Sequence, residues 1–338
     1  MTLSVSIVVP AYNATRTIAV CLRAALSQTH PVAEVIVVDD ASTDETAAQA
    51  AAFGVRVIRQ PHNRGVSAAR NTGAAAARGD VIFYVDADVA IEPEAVAEAV
   101  AVLEQDPGVG CVHGIYAPEP LYDDGPVEHY KILNNHHWRV RAVGEVGTAL
   151  FALGAIRRRL LLDAGGFDES LRDGEDVEIS TRLVGRCRIV LTDRMVGRHD
   201  DAASLRDVLG EQFRRSRLLV PMAVAELRDR ASRPRSGGRG PATLTGLRPA
   251  SVAATAAGLA TLPLVWLSPW LLAVPALAFA AMVAADPGLC RLVLRERGAA
   301  FLAFFLGLHL TVQVTTLAGA ATGALHWMTA RRRPAPVG

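Results

Sequence analysis

Two aspartates in this 338-residue chain stand two positions apart at the end of an apolar run. Asp86 and Asp88 directly follow Val81 to Val85. In an extended segment residues i and i+2 point to the same side, so these carboxylates can be presented together. Such a pair suits Mg²⁺ or Mn²⁺, whose remaining positions take waters and phosphate oxygens. The spacing is consistent with a metal site, and a solvated turn is the alternative for an isolated match.

A second acidic pair, Asp39 and Asp40, follows the run Glu34 to Val38. Two interpretations of this pair stay open. The carboxylates could cap the helix predicted after Thr43, or one of them could accept a hydrogen bond from a nucleobase or ribose.

One arginine and one further acidic pair could complete such a site. Arg70 lies on a predicted helix that starts near Gly65, and it could reach a phosphate or a strand-end carboxylate; its alternative is an ordinary surface arginine. Glu175 and Asp176 open another predicted helix, where acidic side chains also complement the helix dipole.

Short strand signals alternate with helical patterns in the amino-terminal part of the chain. The strand signals are Ser4 to Val9, Glu34 to Val38, Val55 to Ile58 and Val81 to Val85, and the helical patterns are Thr15 to Ser27, Thr43 to Ala52 and Val66 to Ala77. Apolar strands separated by helices predict an α/β fold with a parallel sheet covered on both faces. Ligands of such sheets bind outside the carboxyl ends of the strands, which is where the acidic pairs lie.

Composition narrows the class of protein further. Hydrophobic residues make up 51% and charged residues 20%, with a formal net charge of +1. A chain with so little excess positive charge lacks the field that attracts nucleic acid, so we expect no nucleic-acid partner. The apolar content slightly exceeds that of an ordinary soluble domain, which indicates contact with lipid.

Taken together, the motifs resemble the family 2 glycosyltransferases of the GT-A fold over roughly residues 4 to 200. The resemblance is carried by Ser6-Ile-Val-Val-Pro-Ala-Tyr-Asn13, Val37-Val-Asp-Asp-Ala-Ser-Thr-Asp44, Asn63-Arg-Gly, Ala69-Arg-Asn71, Asp86-Ala-Asp88, Gly165-Gly-Phe-Asp168 and Gly174-Glu-Asp176. It implies a Rossmann-like, mixed and mostly parallel sheet, a nucleoside-diphosphate sugar donor and transfer with inversion. The combination is far more specific than any single motif.

The resemblance also implies a role for individual residues. Pro10, Tyr12, Asn13, Asp39, Asp40, Arg70 and Asp86 would bind the donor; Asp86, Asp88 and His199 would hold Mg²⁺ or Mn²⁺; Gly166, Phe167 and Glu175 would lie on the acceptor side; and Asp176 would be the catalytic base. For His199 an ordinary surface histidine is the alternative. The sequence departs from processive members at Ser216, where a tryptophan is expected, so we expect a single transfer rather than polymer synthesis.

The chemistry of inverting transfer explains these residue types. An acceptor hydroxyl attacks the anomeric carbon in line while a nucleoside diphosphate leaves, and a bound cation stabilises the charge on the departing phosphate. A carboxylate within hydrogen-bond reach can take the proton of the nucleophile, which typically contributes 10²–10⁴-fold in rate. Asp176 is the candidate for that carboxylate.

The carboxyl-terminal part has the pattern of a membrane anchor. No charged residue occurs between positions 250 and 285, and one straight helix of that length would extend roughly 54 Å against a hydrocarbon core of about 30 Å. A hairpin that turns at Ser268-Pro269, with Trp266 and Trp270 at the interface, fits better. A second uncharged run covers positions 298 to 330, so two to four spans are predicted and the side of the carboxyl terminus stays open.

These patterns predict a catalytic domain at residues 1–230, a basic Pro/Gly-rich linker at 231–249 and transmembrane helices at 250–330. Basic residues before the first span predict a multi-pass protein of the inner membrane whose catalytic domain lies in the cytosol. We expect a membrane-anchored glycosyltransferase whose acceptor is a sugar, a lipid or a polyprenyl phosphate. The alternatives are a nucleotidyltransferase on the same sheet and a membrane scaffold without enzymatic activity.

Overall fold

Nine strands form one mixed sheet in the computed structural model of the chain, which describes residues 2–220, 224 and 248–331. The strands are β1 (Val5–Ala11), β2 (Glu34–Asp39), β3 (Arg56–Arg59), β4 (Val81–Val85), β5 (Val89–Ile91), β6 (Val109–Tyr116), β7 (Gly144–Val146), β8 (Leu153–Arg157) and β9 (Arg188–His199). Their order is β3-β2-β1-β4-β8-β6-β9-β5, and β7 pairs with β9. The predicted fold class, a mixed α/β sheet followed by helices, is confirmed.

The first four strands in sequence form the parallel half of the sheet, and their carboxyl ends lie together. β1 pairs in parallel with both β2 and β4, so that Ala11 lies opposite Asp39 and Val8 opposite Tyr84. β8 then joins β4 in the antiparallel direction. This register places the polar segments that follow β1, β2 and β4 at one edge of the sheet.

Helices cover both faces of this sheet. They are α1 (Ile18–Leu26), α2 (Thr46–Ala51), α3 (Val66–Ala76), α4 (Ala95–Gln105), α6 (Arg158–Asp163) and α7 (Glu175–Leu183). A further helix, α5 (Pro126–Ala142), lies between β6 and β7 in the sequence. Alternate residues of β1 enter different cores: Val5, Ile7 and Val9 belong to one buried cluster, and Val8 to another. The continuous burial of β1, β2 and β4 explains why their sequences are almost wholly apolar.

The chain divides into two compact units. One, described over residues 2–123 and 138–201, holds the sheet; the other, described over 124–137, 202–220 and 248–331, is helical. The predicted linker, residues 231–249, lies outside the described residues except for its last two positions, and so do residues 221–223 and 225–230 of the predicted catalytic domain.

The helical unit contains α8 (Leu205–Ser216), α9 (Pro249–Thr261), α10 (Ala273–Ala284) and α11 (Pro287–Arg331). Short 3₁₀ turns, Leu262–Trp266 and Pro269–Leu272, connect α9 to α10, so the chain turns where the hairpin was predicted. Gly298 (φ 80°) interrupts α11. Within the part of the chain that the structure describes, two helical stretches, Pro249–Trp266 and Pro287–Thr329, are long and apolar enough to cross a membrane.

Candidate active site

A pocket of about 430 Å³ opens at the carboxyl edge of the parallel strands. Six of the residues predicted for the site line it: Pro10, Tyr12, Asn13, Asp40, Asp86 and Asp88. They come from the ends of β1, β2 and β4, which the parallel register brings together. The strand-end rule therefore predicted that these residues meet at one edge of the sheet.

Arg70 joins the pocket to the acidic start of α7. Its side chain is 2% exposed, and its Nη2 donates to Asp86 Oδ1 at 3.1 Å. Its Nη1 donates to Glu175 Oε1 at 3.0 Å and to Asp176 Oδ1 at 3.2 Å. The alternative of an ordinary surface arginine is therefore wrong, and one buried cation holds three of the predicted site residues.

Burial changes the pKa of two carboxyl groups that contact Arg70. It raises the pKa of Asp176 to about 7, against the opposing effect of Arg70. Burial likewise raises the pKa of Asp86 above its usual value, although Arg70 again opposes the shift. Asp176 remains 17% exposed, and its Oδ2 accepts a hydrogen bond from the Phe151 amide at 3.2 Å. A carboxyl group with a pKa near neutrality is suited to accept and release a proton.

Asp88 and His199 lie together beside Asp86. His199 Nε2 is 3.5 Å from Asp88 Oδ1, and its Nδ1 is 3.3 Å from Asp201 Oδ2. Burial alone would lower the pKa of His199, but Tyr116, Asp88 and Asp201 outweigh it and hold that pKa well above the usual value. The imidazole ring stacks on Tyr116 with centroids 4.7 Å apart.

The two members of the Asp39-Asp40 pair have different surroundings. Asp40 accepts hydrogen bonds from the backbone amides of Arg64, at 2.8 Å, and Gly65, at 2.7 Å, and so anchors the segment before α3. Asp39 has a fully buried side chain 3.3 Å from Arg59 Nε, and it is not among the residues that line the pocket. Neither caps α2, because Asp44 accepts the hydrogen bond from the Thr46 amide at 3.0 Å.

The predicted acceptor-side motif, Gly165-Gly-Phe-Asp168, forms a turn that the Asn71 side chain holds. The Asn71 side chain accepts a hydrogen bond from the Phe167 amide at 2.8 Å and donates one to the Phe167 carbonyl at 2.9 Å. Phe167 is 3% exposed, and its ring lies 5.5 Å from the Arg70 guanidinium carbon. Gly166 and Phe167 are not among the residues that line the pocket, and Phe167 packs against Arg70.

Two charged residues of the pocket were not predicted from the sequence. Arg16 lines it, lies 3.7 Å from Asp200 and packs over the Tyr122 ring at 4.6 Å. Asp200 follows His199 directly, so the segment that suggested His199 could have indicated it as well. No sequence signal distinguishes Arg16 from a surface arginine.

The sheet order and the strand-end acidic pocket are those of a domain of the GT-A type. Residues 6–161 match the sequence profile of glycosyl transferase family 2. Residues 6–161 are thus similar to the family 2 glycosyltransferases.

Several glycosyltransferases are similar to this chain in sequence. The chain is 30% identical over 185 residues to an uncharacterized glycosyltransferase of Haemophilus influenzae, which covers 53% of this chain and 61% of the relative. It is 31% identical over 188 residues to chondroitin synthase of Escherichia coli, over 53% of this chain but only 26% of that enzyme. The chain thus matches less than two thirds of each of these relatives.

A solved structure shares the fold. The mannosyltransferase PcManGT from Pyrobaculum calidifontis, in complex with GDP-Man and Mn²⁺, superposes with a TM-score of 0.57 at 23% identity. The match covers 96% of this chain and 88% of that protein.

Proposed function

We propose that this chain is a glycosyltransferase that moves a sugar from a nucleoside-diphosphate sugar to an acceptor hydroxyl or phosphate with inversion. A divalent cation assists the transfer, which takes place at the cytosolic face of the inner membrane. The observation that carries the proposal is the buried junction at Arg70, which ties Asp86 of the pocket to Asp176 of α7. One guanidinium thereby connects the donor side to the candidate base.

The pocket fits the donor. Asp40, Asp86 and Asp88 contribute carboxylates, and Tyr12, half exposed, contributes an aromatic ring at the rim. An aromatic face and hydrogen-bond acceptors are what a nucleoside requires. The binding of GDP-Man by PcManGT, which has the same fold, supports a donor of this class.

The residues present fit Mg²⁺ or Mn²⁺. Asp88 Oδ1 accepts no hydrogen bond from the described residues although it is buried, and the imidazole Nε2 of His199 lies 3.5 Å from it. Carboxylate oxygens with an imidazole nitrogen form a donor set suited to Mn²⁺. Asp86, Asp88 and His199 would hold the ion, which when bound would stabilise the charge on the leaving phosphate.

Asp176 is the proposed base. Its pKa of about 7 leaves a large fraction ionised at neutral pH while keeping it basic enough to take a proton from an acceptor hydroxyl. Arg70 contacts Asp176 and Glu175 at once, so it fixes the orientation of the base and limits the rise in its pKa. Inversion follows if the acceptor approaches from the side of α7, opposite the departing diphosphate.

A membrane-bound acceptor is the natural substrate class for this chain. Two described helical stretches are long and apolar enough to cross a membrane, and attachment there raises the local concentration of a lipid-linked acceptor. A polyprenyl phosphate or glycolipid is therefore proposed, and a soluble sugar is the alternative that the assay below separates.

The test is a donor screen with membranes that contain the full chain. Radiolabelled nucleoside-diphosphate sugars are supplied with and without Mn²⁺, and label is followed into the lipid and aqueous fractions. We expect Mn²⁺-dependent transfer with release of nucleoside diphosphate, and NMR of the product gives its anomeric configuration. Release of pyrophosphate would instead identify a nucleotidyltransferase.

Three substitutions make the test specific to the site. Asp176→Asn and Asp88→Ala should each lower turnover at least 100-fold. Asp163→Asn is the matched control, since this exposed aspartate at the end of α6 pairs only weakly with Arg159 at 3.7 Å. Unchanged turnover in the first two variants would show that the assigned residues do not perform the reaction.

A further inference from the structure

The helical unit contains an uncharged hairpin with charged residues at its base and aromatic residues at its tip. At the base, Arg248 Nε donates to Asp286 Oδ2 at 2.6 Å. At the tip, Trp266 and Trp270 are 93% and 89% exposed. No charged residue lies between positions 249 and 285, so charge is confined to one end.

The length of the hairpin matches the hydrocarbon core of a bilayer. α9 has 13 residues and the following 3₁₀ turn has 5, which together extend roughly 30 Å. The hydrocarbon core is about 30 Å thick, and tryptophans favour its boundary with water. The two arms pack closely, because a Cβ added at Gly258 would lie 3.1 Å from the Ala278 Cβ. An arm that starts at Arg248 therefore reaches the opposite interface at Trp266.

The longer apolar helix, α11, has different neighbours. Tyr130 of α5 makes a 3.1 Å hydrogen bond to His309, and Gln212 of α8 donates to Thr316 at 2.7 Å. Farther along, a Cβ added at Gly323 would lie 2.0 Å from the Arg217 carbonyl oxygen, so the end of α8 touches α11 directly. One side of α11 is thus covered by α5 and α8 from about His309 to Gly323.

Those covering helices are charged. Lys131 of α5 pairs with Glu211 of α8 at 2.6 Å, and Arg215 pairs with Glu211 at 2.7 Å. The Arg215 side chain is 47% exposed. If α11 crossed the bilayer along this stretch, these ionised groups would lie at hydrocarbon depth, which is costly and rare.

The other side of α11 is exposed and uncharged. It presents Phe304, Leu325 and Met328, which are 40%, 60% and 46% exposed, with Thr311 and Ala318 between them. A helix with one apolar exposed face and charged neighbours on the other is suited to lie in the plane of the interface. Arg291 and Arg295, near the start of α11, complement anionic headgroups.

We infer that the α9–α10 hairpin crosses the membrane while α11 lies on the surface of the leaflet from which the hairpin enters, with its exposed apolar face in the lipid. The carboxyl end of α11 then stays on the same side of the membrane as the sheet-containing unit. This inference rests on the membrane attachment proposed above and adds its topology.

The test is cysteine labelling of the full chain in sealed vesicles of both orientations. Cys187 and Cys290, which are partly exposed, are first replaced by serine, whereas Cys21 and Cys111 are buried and are kept. Ser268→Cys reports the tip of the hairpin, Thr329→Cys the end of α11, and Glu94→Cys, exposed in the sheet-containing unit, marks the catalytic side. The probe is a membrane-impermeant maleimide coupled to polyethylene glycol.

We expect Thr329→Cys to react from the same side as Glu94→Cys, and Ser268→Cys from the opposite side. Reaction of Thr329→Cys from the side of Ser268→Cys would show that α11 crosses, and reaction of all three from one side would show that the hairpin does not. Extraction with alkaline carbonate tests membrane attachment separately. Release of the chain from the membrane would overturn both the attachment and the topology. Sugar transfer is assayed independently of the attachment and of the topology.

Discussion

Arg70 Nη1 lies 3.2 Å from Asp176 Oδ1 although the two residues are 106 positions apart in the chain. The same guanidinium contacts Asp86, at the end of β4. Removing a cation from such a buried cluster leaves its carboxylates uncompensated, which typically costs about 3–5 kcal/mol. Loss of Arg70 would therefore destabilise the domain, and its presence limits the rise in the pKa of Asp176 that burial causes.

The first prediction concerns the pH dependence of transfer. Asp176 accepts a proton only when ionised, and burial raises its pKa to about 7. We expect the rate to be level above that pH and to fall about tenfold for each pH unit below it. The measurement is initial rate against pH at saturating donor, with Asp163→Asn as the control that keeps the wild-type profile. A rate that is constant between about pH 5 and 8 would contradict the role of Asp176.

The second prediction concerns the turn held by Asn71. Gly166 has φ +74°, and an added Cβ would lie 2.6 Å from Asn71 Oδ1. Gly165 has φ +85°, and a Cβ added there would have no atom of the described residues within 4 Å apart from its chain neighbours. Gly165→Ala should cost about 1 kcal/mol through backbone strain alone, and Gly166→Ala about 1–3 kcal/mol more because the contact must also shift. Thermal unfolding of the two variants measures the difference. Equal melting temperatures would mean that Asn71 moves aside freely.

The strand ends could be predicted from the sequence because their causes are local. An apolar β-branched run followed by turn residues marks where β1, β2 and β4 end, and parallel pairing then brings the ends together. The meeting of Asp40, Asp86 and Asp88 in one pocket was predictable in this way. The hairpin turn at Ser268-Pro269 was predictable for the same kind of reason.

Long-range pairing could not be predicted in that way. Nothing near Arg70 in sequence shows that its partners are carboxylates on β4 and α7, so a surface position was an equally good interpretation. Asp39 and Asp40 are neighbours of the same type, yet only Asp40 lines the pocket, because the alternation of side chains at the end of β2 directs Asp39 toward Arg59. The antiparallel insertion of β8 beside β4 also depends on contacts distant in sequence.

The third prediction concerns Tyr116, whose ring stacks on His199 at an interplanar angle of 7°. The guanidinium carbon of Arg139 lies 4.2 Å from the same ring, so Tyr116 is held in place and in turn orients the imidazole. Residues that orient a metal ligand typically contribute 10–100-fold to affinity. Tyr116→Leu should therefore weaken Mn²⁺ binding about tenfold or more, measured by electron paramagnetic resonance titration with Mn²⁺ alone.

Tyr116→Phe keeps the ring and should restore most of the Mn²⁺ affinity that Tyr116→Leu loses. Circular dichroism of both variants confirms that the fold is intact. If leucine and phenylalanine have the same effect on Mn²⁺ binding, the stacked ring does not position His199.

The fourth prediction concerns the packing of α8 on α11. A Cβ added at Gly319 would lie 2.7 Å from the Phe213 carbonyl oxygen and 2.8 Å from the Ser216 Cβ. One added at Gly307 on the same helix would have no atom within 4 Å among the described residues outside its own helix turn. Gly319→Ala should therefore separate the two helices and cost about 1–3 kcal/mol, because the close atoms include backbone that cannot rotate away.

Gly307→Ala is the matched control, and since alanine favours a helix it should be neutral or stabilising by up to about 1 kcal/mol. Thermal unfolding in detergent, with limited proteolysis after α8 as a second readout, distinguishes them. Equal stability of the two variants would contradict the close approach of α8 to α11, on which the surface position of α11 depends.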